Sequence, residues 1–420
     1  MVPDQEKLSS DTSIQVAQPP APKFVEGGVR GYLTIFGAFL SLFAAFGQSI
    51  AFGSFQLWYA VNQLSSYSAS DISWIGSLQL WVFFFSGSFV GRLFDAYGPT
   101  VLLASGTVIL TLSLMMTSLA SRYYEFILAQ GILFGIGFGL MFYPSMSATA
   151  THFRKYRATA MGVAVAGSSA GGVVFPILLQ RLFDEVGFGW AVRISAFVCL
   201  ACGIVSTLTV SSRLPKRKPG PWIDVVSLQD ANFMLFTLGS GICCLGIFIP
   251  FFYIVQYGQD NGLSQALSFD LLSVMNAGSV IGRILPALMA DYIGRYNLLV
   301  PFTAISGIFC LALWMHAHSL AALMCYAVFF GFFSGAFFAL QSACIAQISQ
   351  IEKIGIRMGM AYSLVSFLAL VGGPIGGAIL NRQKGKFSGM IVFTGVTLIV
   401  GSLVTLMVKL KINRNILAKV

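Results

Sequence analysis

Twelve apolar segments, each about as long as a bilayer-spanning helix, cover most of this 420-residue chain. A helix that crosses the hydrocarbon core needs about 20 mostly apolar residues. Only 10% of the residues are charged, whereas a soluble domain carries about a quarter. The segments therefore predict an all-α membrane protein with helices at residues 31–58, 72–91, 101–120, 124–147, 158–182, 190–210, 232–256, 267–289, 298–317, 320–346, 356–381 and 387–409.

The longest polar interruption, Ser211 to Asp230, follows the sixth segment and contains Arg213, Lys216, Arg217 and Lys218. It divides the chain into two sets of six helices. We expect a disordered cytoplasmic tail at 1–25, a six-helix bundle at 26–210 and a cytoplasmic linker at 211–230. A second six-helix bundle is expected at 231–410, and a short cytoplasmic tail at 411–420.

The distribution of basic residues predicts the orientation, because Lys and Arg near helix ends are retained in the cytoplasm. With both termini inside, 19 of the 25 basic residues fall on the cytoplasmic side. The other six are Arg122, Arg181, Arg193, Arg382, Lys384 and Lys386. This bias predicts a multi-pass protein of the cell membrane with both termini in the cytoplasm.

The two halves share residues at a constant offset of 196 positions. The pairs are Asp95 with Asp291, Gly98 with Gly294, Gly135 with Gly331, and Gly139 with Gly335. Four pairs at one offset indicate duplication of a six-helix unit. The expected fold is therefore two pseudo-symmetric six-helix bundles.

The connection after the second helix has the sequence GRLFDAYGP at 91–99, and its repeat has ALMADYIGR at 287–295. This pattern resembles the G-x-x-x-D-x-x-G-R signature of the major facilitator superfamily. A carboxylate at a helix end can cap a neighbouring helix N-terminus, and the second glycine permits a tight turn. We expect a gating contact between the bundles, formed by Asp95, Gly98, Asp291, Gly294 and Arg295. The alternative is a pair of turn aspartates without a gating role.

Three further stretches resemble the monocarboxylate porter family in the form common in fungi: Glu26-Gly27-Gly28, residues 74–79 (WIGSLQ) and residues 153–169 (FRKYRATAMGVAVAGSS). The resemblance implies alternating-access transport of a small organic solute. It also implies that Arg283 binds a carboxylate. Proton-coupled members carry a lysine in the first helix and an aspartate one turn before the arginine. Gln48 and Ser279 stand there instead, which predicts weak or indirect proton coupling.

Arg283 is also notable without the resemblance, because it lies inside an otherwise uncharged stretch of the eighth helix. A buried guanidinium in a membrane helix faces a cavity or a partner rather than lipid. Asn276, Ser279 and Arg283 share one helical face and together form a candidate anion site. The alternatives are that Arg283 snorkels to the interface or pairs with Asp291.

Other polar side chains within helices are candidates for contact with an amphipathic solute: Gln48, Gln79, Gln130, Tyr143 and Gln341. Each can equally form hydrogen bonds between helices. Small residues are expected to serve close helix packing at Gly162, Gly167, Gly171 and Gly172, and again at Gly372 and Gly373.

The sequence does not favour an enzyme, because no cluster of His, Cys or carboxylate residues has metal-ligand or catalytic spacing. We expect neither cofactor nor metal, and the scattered basic residues predict no nucleic-acid binding. The expected partners are a small-molecule substrate and the lipid bilayer, with the monomer as the functional unit. Our main hypothesis is export of a carboxylated or amphipathic metabolite of fungal secondary metabolism. Uptake of a monocarboxylate or vitamin-like nutrient is the alternative, and a non-transporting receptor the distant one.

Overall fold

The computed structural model describes residues 26–67, 69–214, 224–415 and 418. The expected tail at 1–25 and the linker residues Lys216, Arg217 and Lys218 lie outside this range.

The first half contains six membrane-spanning helices. Helix α1 is Gly28–Ile50 and continues as Phe52–Val61, while α2 consists of Ala69–Phe85 and Gly87–Tyr97, bent by 42°. Helix α3 is Pro99–Thr117, and α4 runs through Tyr123–His152 with a π-helical stretch at Ile127–Leu133. The helix Arg157–Thr209 has 53 residues, about twice a bilayer crossing, and is interrupted at Gly187, where φ is 75°. It therefore supplies two crossings, α5 (157–186) and α6 (188–209).

The second half contains the other six. Helix α7 is Ala231–Ile247 continuing as Ile249–Asp260, α8 is Gln265–Ile293, and α9 is Arg295–Ala312. Helix α10 is Leu320–Gln347, α11 is Ile354–Arg382, and α12 is Ser388–Ile412, ending two residues beyond the expected boundary at 410. A short helix, Val225–Gln229, lies in the linker. The predicted all-α membrane fold is thus confirmed.

The repeat in the sequence corresponds to a repeat in helix packing. Gly135 of α4 lies against α2, where an added Cβ would be 2.9 Å from the carbonyl oxygen of Gln79. Gly331 of α10 lies against α8, where an added Cβ would be 3.0 Å from the carbonyl carbon of Met275. The same residue type therefore permits the same close approach in each bundle.

The molecule has two ends, which we name by their connections. The linker end carries the start of α1, the segment between α6 and α7, and the end of α12; the opposite end is the far end. Because α2 and α8 both run towards the linker end, Asp95 and Asp291 lie there together.

Most of the glycines expected to serve packing lie where two helix backbones come close. Gly162 faces α8, Gly167 and Gly171 face α1, and Gly372 faces α7. Gly172 faces the side chains of Ile50 on α1 and Asn276 on α8. Gly373 differs, since the nearest atom to an added Cβ there is Phe252 Cδ2 at 3.9 Å. That position has room for a methyl group, so close helix approach does not require its glycine.

Candidate functional site

Two aspartates at the linker end connect the bundles in a pseudo-symmetric way. Asp95, in the last turn of α2, accepts a hydrogen bond from the backbone N–H of Ile356 at the start of α11, at 3.1 Å. Asp291, at the end of α8, accepts from the backbone N–H groups of Ala158 and Thr159 at the start of α5, at 3.0 and 2.8 Å. Each carboxylate thus caps a helix N-terminus of the opposite bundle, where the helix dipole favours negative charge.

The glycines that follow these aspartates permit the turn into the next helix. Gly98 has φ 77° and Gly294 has φ 117°, a region of backbone space that residues with a Cβ rarely adopt. Helices α3 and α9 begin at the next residue, Pro99 and Arg295. Arg295 also forms an ion pair with Asp291 at 3.5 Å, whereas Pro99 stands at the equivalent position of the first repeat.

A contact that the sequence did not indicate runs in the opposite direction across the same interface. Arg157, the first residue of α5, is buried and donates from Nη1 to the carbonyl oxygen of Ala346 near the end of α10, at 3.2 Å. A cation at a helix C-terminus complements the dipole, as the carboxylate does at the N-terminus. Arg157 and Asp291 therefore form reciprocal helix-end contacts between the bundles.

The segment before α1 holds the loop that leads into α5. The carboxylate of Glu26 accepts hydrogen bonds from the backbone N–H groups of Arg154 and Lys155, the latter at 2.6 Å. Gly27 donates to the carbonyl oxygen of His152 at 2.9 Å, and Arg213 donates to the carbonyl oxygen of Gly27 at 2.7 Å. The Glu26-Gly27-Gly28 stretch thus serves to fix the linker end of the first bundle.

From the linker end to the middle of the membrane, α2 and α11 lie in close contact. An added Cβ on Gly87 would be 2.7 Å from the carbonyl oxygen of Gly359. One turn further along α11, Ser363 Oγ accepts a hydrogen bond from the Ser88 N–H at 2.9 Å. Tyr143, a candidate for substrate contact, instead donates to the carbonyl oxygen of Phe84 at 3.1 Å and is fully buried beneath this contact. The bundles are therefore closed at the linker end.

Arg283 lies buried on α8, facing α5 of the other bundle, and its side chain turns away from the linker end. It donates to the carbonyl oxygen of Val165 at 2.9 Å and to Ser168 Oγ, and its Cζ lies 5.0 Å from the ring centre of Phe338. Since only 3% of its surface is exposed, it does not snorkel. It also does not pair with Asp291, whose oxygens contact the start of α5.

No carboxylate partners Arg283 within the ranges that the structure describes. The ion pairs recorded there are Arg295–Asp291, Lys353–Asp224 and Arg357–Asp230. A buried cation without a counter-ion is costly, and its Nε has no hydrogen-bond acceptor among the described residues. Arg283 is therefore a buried cation whose charge no carboxylate balances within the described ranges.

Asn276 and Ser279 share the buried face of α8 with Arg283, as their spacing predicts. The Oδ1 atom of Asn276 and the Oγ atom of Ser279 are buried and lack hydrogen-bond partners within the described part of the chain. Asn276 lies opposite Gly172 of α5, where an added Cβ would be 3.1 Å from Oδ1. The Ser279 hydroxyl lies instead beside Gly335 of α10, where an added Cβ would be 3.1 Å from Oγ. The three residues therefore present unsatisfied polar atoms on one face of α8, between α5 and α10 in the middle of the membrane.

The structure does not bring the candidate glutamines of the first bundle to this place. Gln48 donates to Ser195 Oγ of α6 at 3.2 Å, and Gln130 accepts from the hydroxyl of Tyr59 at 2.6 Å. Both contacts join helices of one bundle, as the alternative interpretation of these residues expects. Gln341 is buried on α10.

Metal chemistry has no evident site in this arrangement. Among residues 26–67, 69–214 and 224–415, no three His, Cys, Asp or Glu side chains are grouped closely enough to hold an ion.

Comparison with known proteins identifies the family. The sequence profile of the Major Facilitator Superfamily matches residues 35–286 and 234–416, which together span most of the chain. The chain belongs to this superfamily. It is therefore a multi-pass membrane transporter that binds a small-molecule substrate within the membrane, and it is not an enzyme.

Two curated relatives match this major facilitator over almost their whole length. The agnestins efflux protein of Paecilomyces divaricatus is 37% identical over 99% of this chain and 95% of its own length. The aspyridones efflux protein of Emericella nidulans is 40% identical over 94% of this chain and 81% of its own. Among solved structures, the human organic anion transporter MFSD10 has a TM-score of 0.72 at 16% identity, covering 92% of this chain and 100% of that one. That likeness supports the fold alone.

Proposed function

We propose that this transporter exports an anionic, amphipathic secondary metabolite from fungal cells. The observation that carries the proposal is Arg283, a buried guanidinium without a carboxylate partner in the described part of the chain, at the interface of the two bundles. An anionic group of the substrate supplies the missing counter-charge. The relatives named as efflux proteins of fungal metabolites favour export as the direction.

We propose that the transporter lies in the cell membrane with its linker end and both termini in the cytoplasm. The support is the 19 to six distribution of basic residues, since Lys and Arg are retained on the cytoplasmic side. With this orientation, the closed linker end corresponds to an outward-facing state. We further propose that one chain is the functional unit, because both bundles that enclose Arg283 belong to it.

Within the superfamily, we infer that this transporter is related to the monocarboxylate porters. It rests on the Glu26-Gly27-Gly28 stretch and on residues 153–169, which meet in the structure through Glu26, Arg154 and Lys155. An arginine in α8 that binds a carboxylate fits this assignment. The absence of a lysine at Gln48 and of an aspartate at Ser279 fits a solute other than a proton-coupled small monocarboxylate.

The test measures metabolites inside and outside the cells. Cells that lack the transporter are compared with cells that produce the parent protein, the Arg283→Gln variant or the Arg193→Gln variant. Arg193 is the matched control, because it also contacts a serine hydroxyl, Ser118 at 3.1 Å, and an aromatic ring, Trp190 at 5.2 Å, but within the first bundle. We expect an acidic metabolite to accumulate inside deletion and Arg283→Gln cells, with normal membrane abundance of the variant. Parental export by Arg283→Gln would refute the anion site. Depletion of the metabolite inside deletion cells would indicate uptake instead.

A further inference from the structure

A cleft opens between α2 and α11 where their close contact ends. It begins beyond the Ser88–Ser363 hydrogen bond, towards the far end, and has α7 at its back. The cleft is partly open to the surroundings. Its lining includes Trp81 and Phe84 of α2, Phe248 and Phe252 of α7, and Gly373 and Pro374 of α11.

A series of aromatic rings connects this cleft with Arg283. The guanidinium lies 5.0 Å from the centre of the Phe338 ring on α10. The ring centres of Phe338 and Phe248 are 5.6 Å apart, and those of Phe248 and Phe84 are 6.3 Å apart. Phe248 and Phe84 line the cleft themselves. The cation and the cleft are therefore connected by a row of three packed rings, contributed by both bundles.

One residue that lines the cleft, Trp81, carries an unsatisfied hydrogen-bond donor. The indole Nε1 of Trp81 is buried and has no acceptor within the described residues. Leaving a buried donor unsatisfied is unfavourable, so an acceptor oxygen from a ligand is stabilising there. The structural reason for Gly373 is then clear, because a residue without a side chain keeps the opposite wall of the cleft open.

We propose that this cleft is a second subsite, which binds the ring-bearing apolar body of the anionic substrate. The acidic group binds at Arg283, the planar body packs along Phe338, Phe248 and Phe84, and an acceptor oxygen remote from the acid receives the Trp81 N–H. This inference rests on the proposed function, because it assumes that Arg283 binds the acid. It adds the substrate class: elongated aromatic or polyene acids with a carbonyl or ether oxygen far from the charge.

The test measures binding to purified full-length protein with three synthetic acids. 4′-Acetylbiphenyl-4-carboxylate has the rings and a remote ketone, 4′-isopropylbiphenyl-4-carboxylate has the rings without the oxygen, and benzoate lacks the second ring. The parent protein should bind them in that order of decreasing affinity. Trp81→Phe should weaken binding of the ketone acid about three- to tenfold and leave the other two unchanged.

Two more variants complete the design. Trp58→Phe is the matched control, since Trp58 also has a buried, unpartnered Nε1 but packs on Phe183 and Phe188 outside the cleft. Phe248→Leu should weaken binding of both biphenyl acids and leave binding of benzoate unchanged. This variant tests the row of aromatic rings independently of Trp81.

The outcomes separate the subsite from the anion site. Equal affinities of the parent protein for benzoate and the biphenyl acids, or equal effects of Trp81→Phe and Trp58→Phe, overturn the subsite. If Arg283→Gln still abolishes binding of all three acids, the anion site stands. If a lipid chain occupied the cleft instead, the parent protein would bind all three acids equally, and Trp81→Phe would have no more effect than Trp58→Phe. Failure of the parent protein to bind any of the three acids overturns both proposals.

Discussion

The carboxylate of Asp291 caps the first turn of α5 through Thr159, accepting from its backbone N–H at 2.8 Å and from its hydroxyl at 2.7 Å. These two residues belong to different bundles and are 132 positions apart. Asp95 makes the equivalent contact with Ile356 of α11. Because both contacts lie at the linker end, they are formed when that end is closed and must break when it opens.

We predict that Asp291→Asn and Asp95→Asn each increase opening of the linker end. The amide keeps the shape of the side chain but loses the charge that favours a helix N-terminus, a contribution of about 0.5–2 kcal/mol in partly buried positions. The population of the open state should therefore rise about two- to thirtyfold. A Ser147→Cys reporter measures this, since Ser147 of α4 is fully buried against Met358 of α11.

Labelling by a membrane-impermeant maleimide should increase in both variants relative to the parent protein with the reporter. Labelling of protein without the reporter corrects for the native cysteines. Asp184→Asn is the control and should have no effect, because Asp184 is exposed in the last turn of α5 at the far end. Unchanged labelling in the Asp291 and Asp95 variants would show that these are turn aspartates without a gating role.

Arg157→Gln should have a similar effect on the same reporter, although the residue lies on the opposite bundle from Asp291. The substitution removes the cation next to the α10 C-terminus, where Arg157 contacts Ala346. Arg154→Gln is the matched control, because Arg154 is exposed and only three residues away. The double variant with Asp291→Asn should show less than the sum of the two free-energy changes, because Arg157 and Asp291 also attract each other and either single substitution already removes that attraction. Strict additivity would mean that the two contacts act independently.

The two aspartates and Arg157 show which contacts between the bundles a sequence can reveal. Asp95 and Asp291 follow from the repeat, because duplication preserves their offset of 196 residues and their position at a helix end. The residue at that offset from Arg157 is Lys353, which pairs with Asp224 rather than with a helix C-terminus. The acceptor of Arg157 is a backbone carbonyl 189 residues away, which any residue at position 346 provides, so only the packed structure reveals the contact.

The same distinction applies within the membrane. Arg283 could be predicted to face a cavity or a partner rather than lipid, because a charge in an apolar helix has few stable environments, and it contacts α5. A glutamine has many stable environments, so the sequence leaves open whether Gln48 and Gln130 face the substrate or neighbouring helices. Their partners, Ser195 and Tyr59, depend on the crossing of helices within one bundle. Trp81 gave no signal at all, because its unsatisfied N–H becomes evident only where α2 and α11 separate.

Neighbouring glycines on α11 should respond differently to alanine. At Gly372 an added Cβ would lie 3.0 Å from the backbone of Leu245 in α7, so Gly372→Ala should destabilise the protein by about 1–3 kcal/mol through overpacking. At Gly373 the nearest atom is 3.9 Å away, and Gly373→Ala should leave stability unchanged. Thermal unfolding of the detergent-solubilised variants measures the difference. Equal melting temperatures would indicate that α7 and α11 move apart at no cost.

Transport should depend little on protons bound by the protein itself. Among the described residues, the buried carboxylates are Asp224 and Asp291, and both lie at the linker end rather than in the middle of the membrane. The polar groups that accompany Arg283 at mid-membrane, Asn276 and Ser279, do not titrate near neutral pH. A carrier couples two fluxes only through a group whose proton affinity changes as the site alternates, and this set contains none.

The measurement compares a transported carboxylic acid with its sulfonate analogue in proteoliposomes at clamped membrane potential. The carboxylate can carry a proton itself, so its flux responds to pH without any site on the protein. The sulfonate stays ionised at all relevant pH values and keeps the negative charge that Arg283 binds. We expect the imposed pH gradient to leave sulfonate flux nearly unchanged while carboxylate flux responds. Gradient-driven accumulation of the sulfonate would instead require a proton site on the protein, and Asp270 and Glu125 would be the first residues to replace.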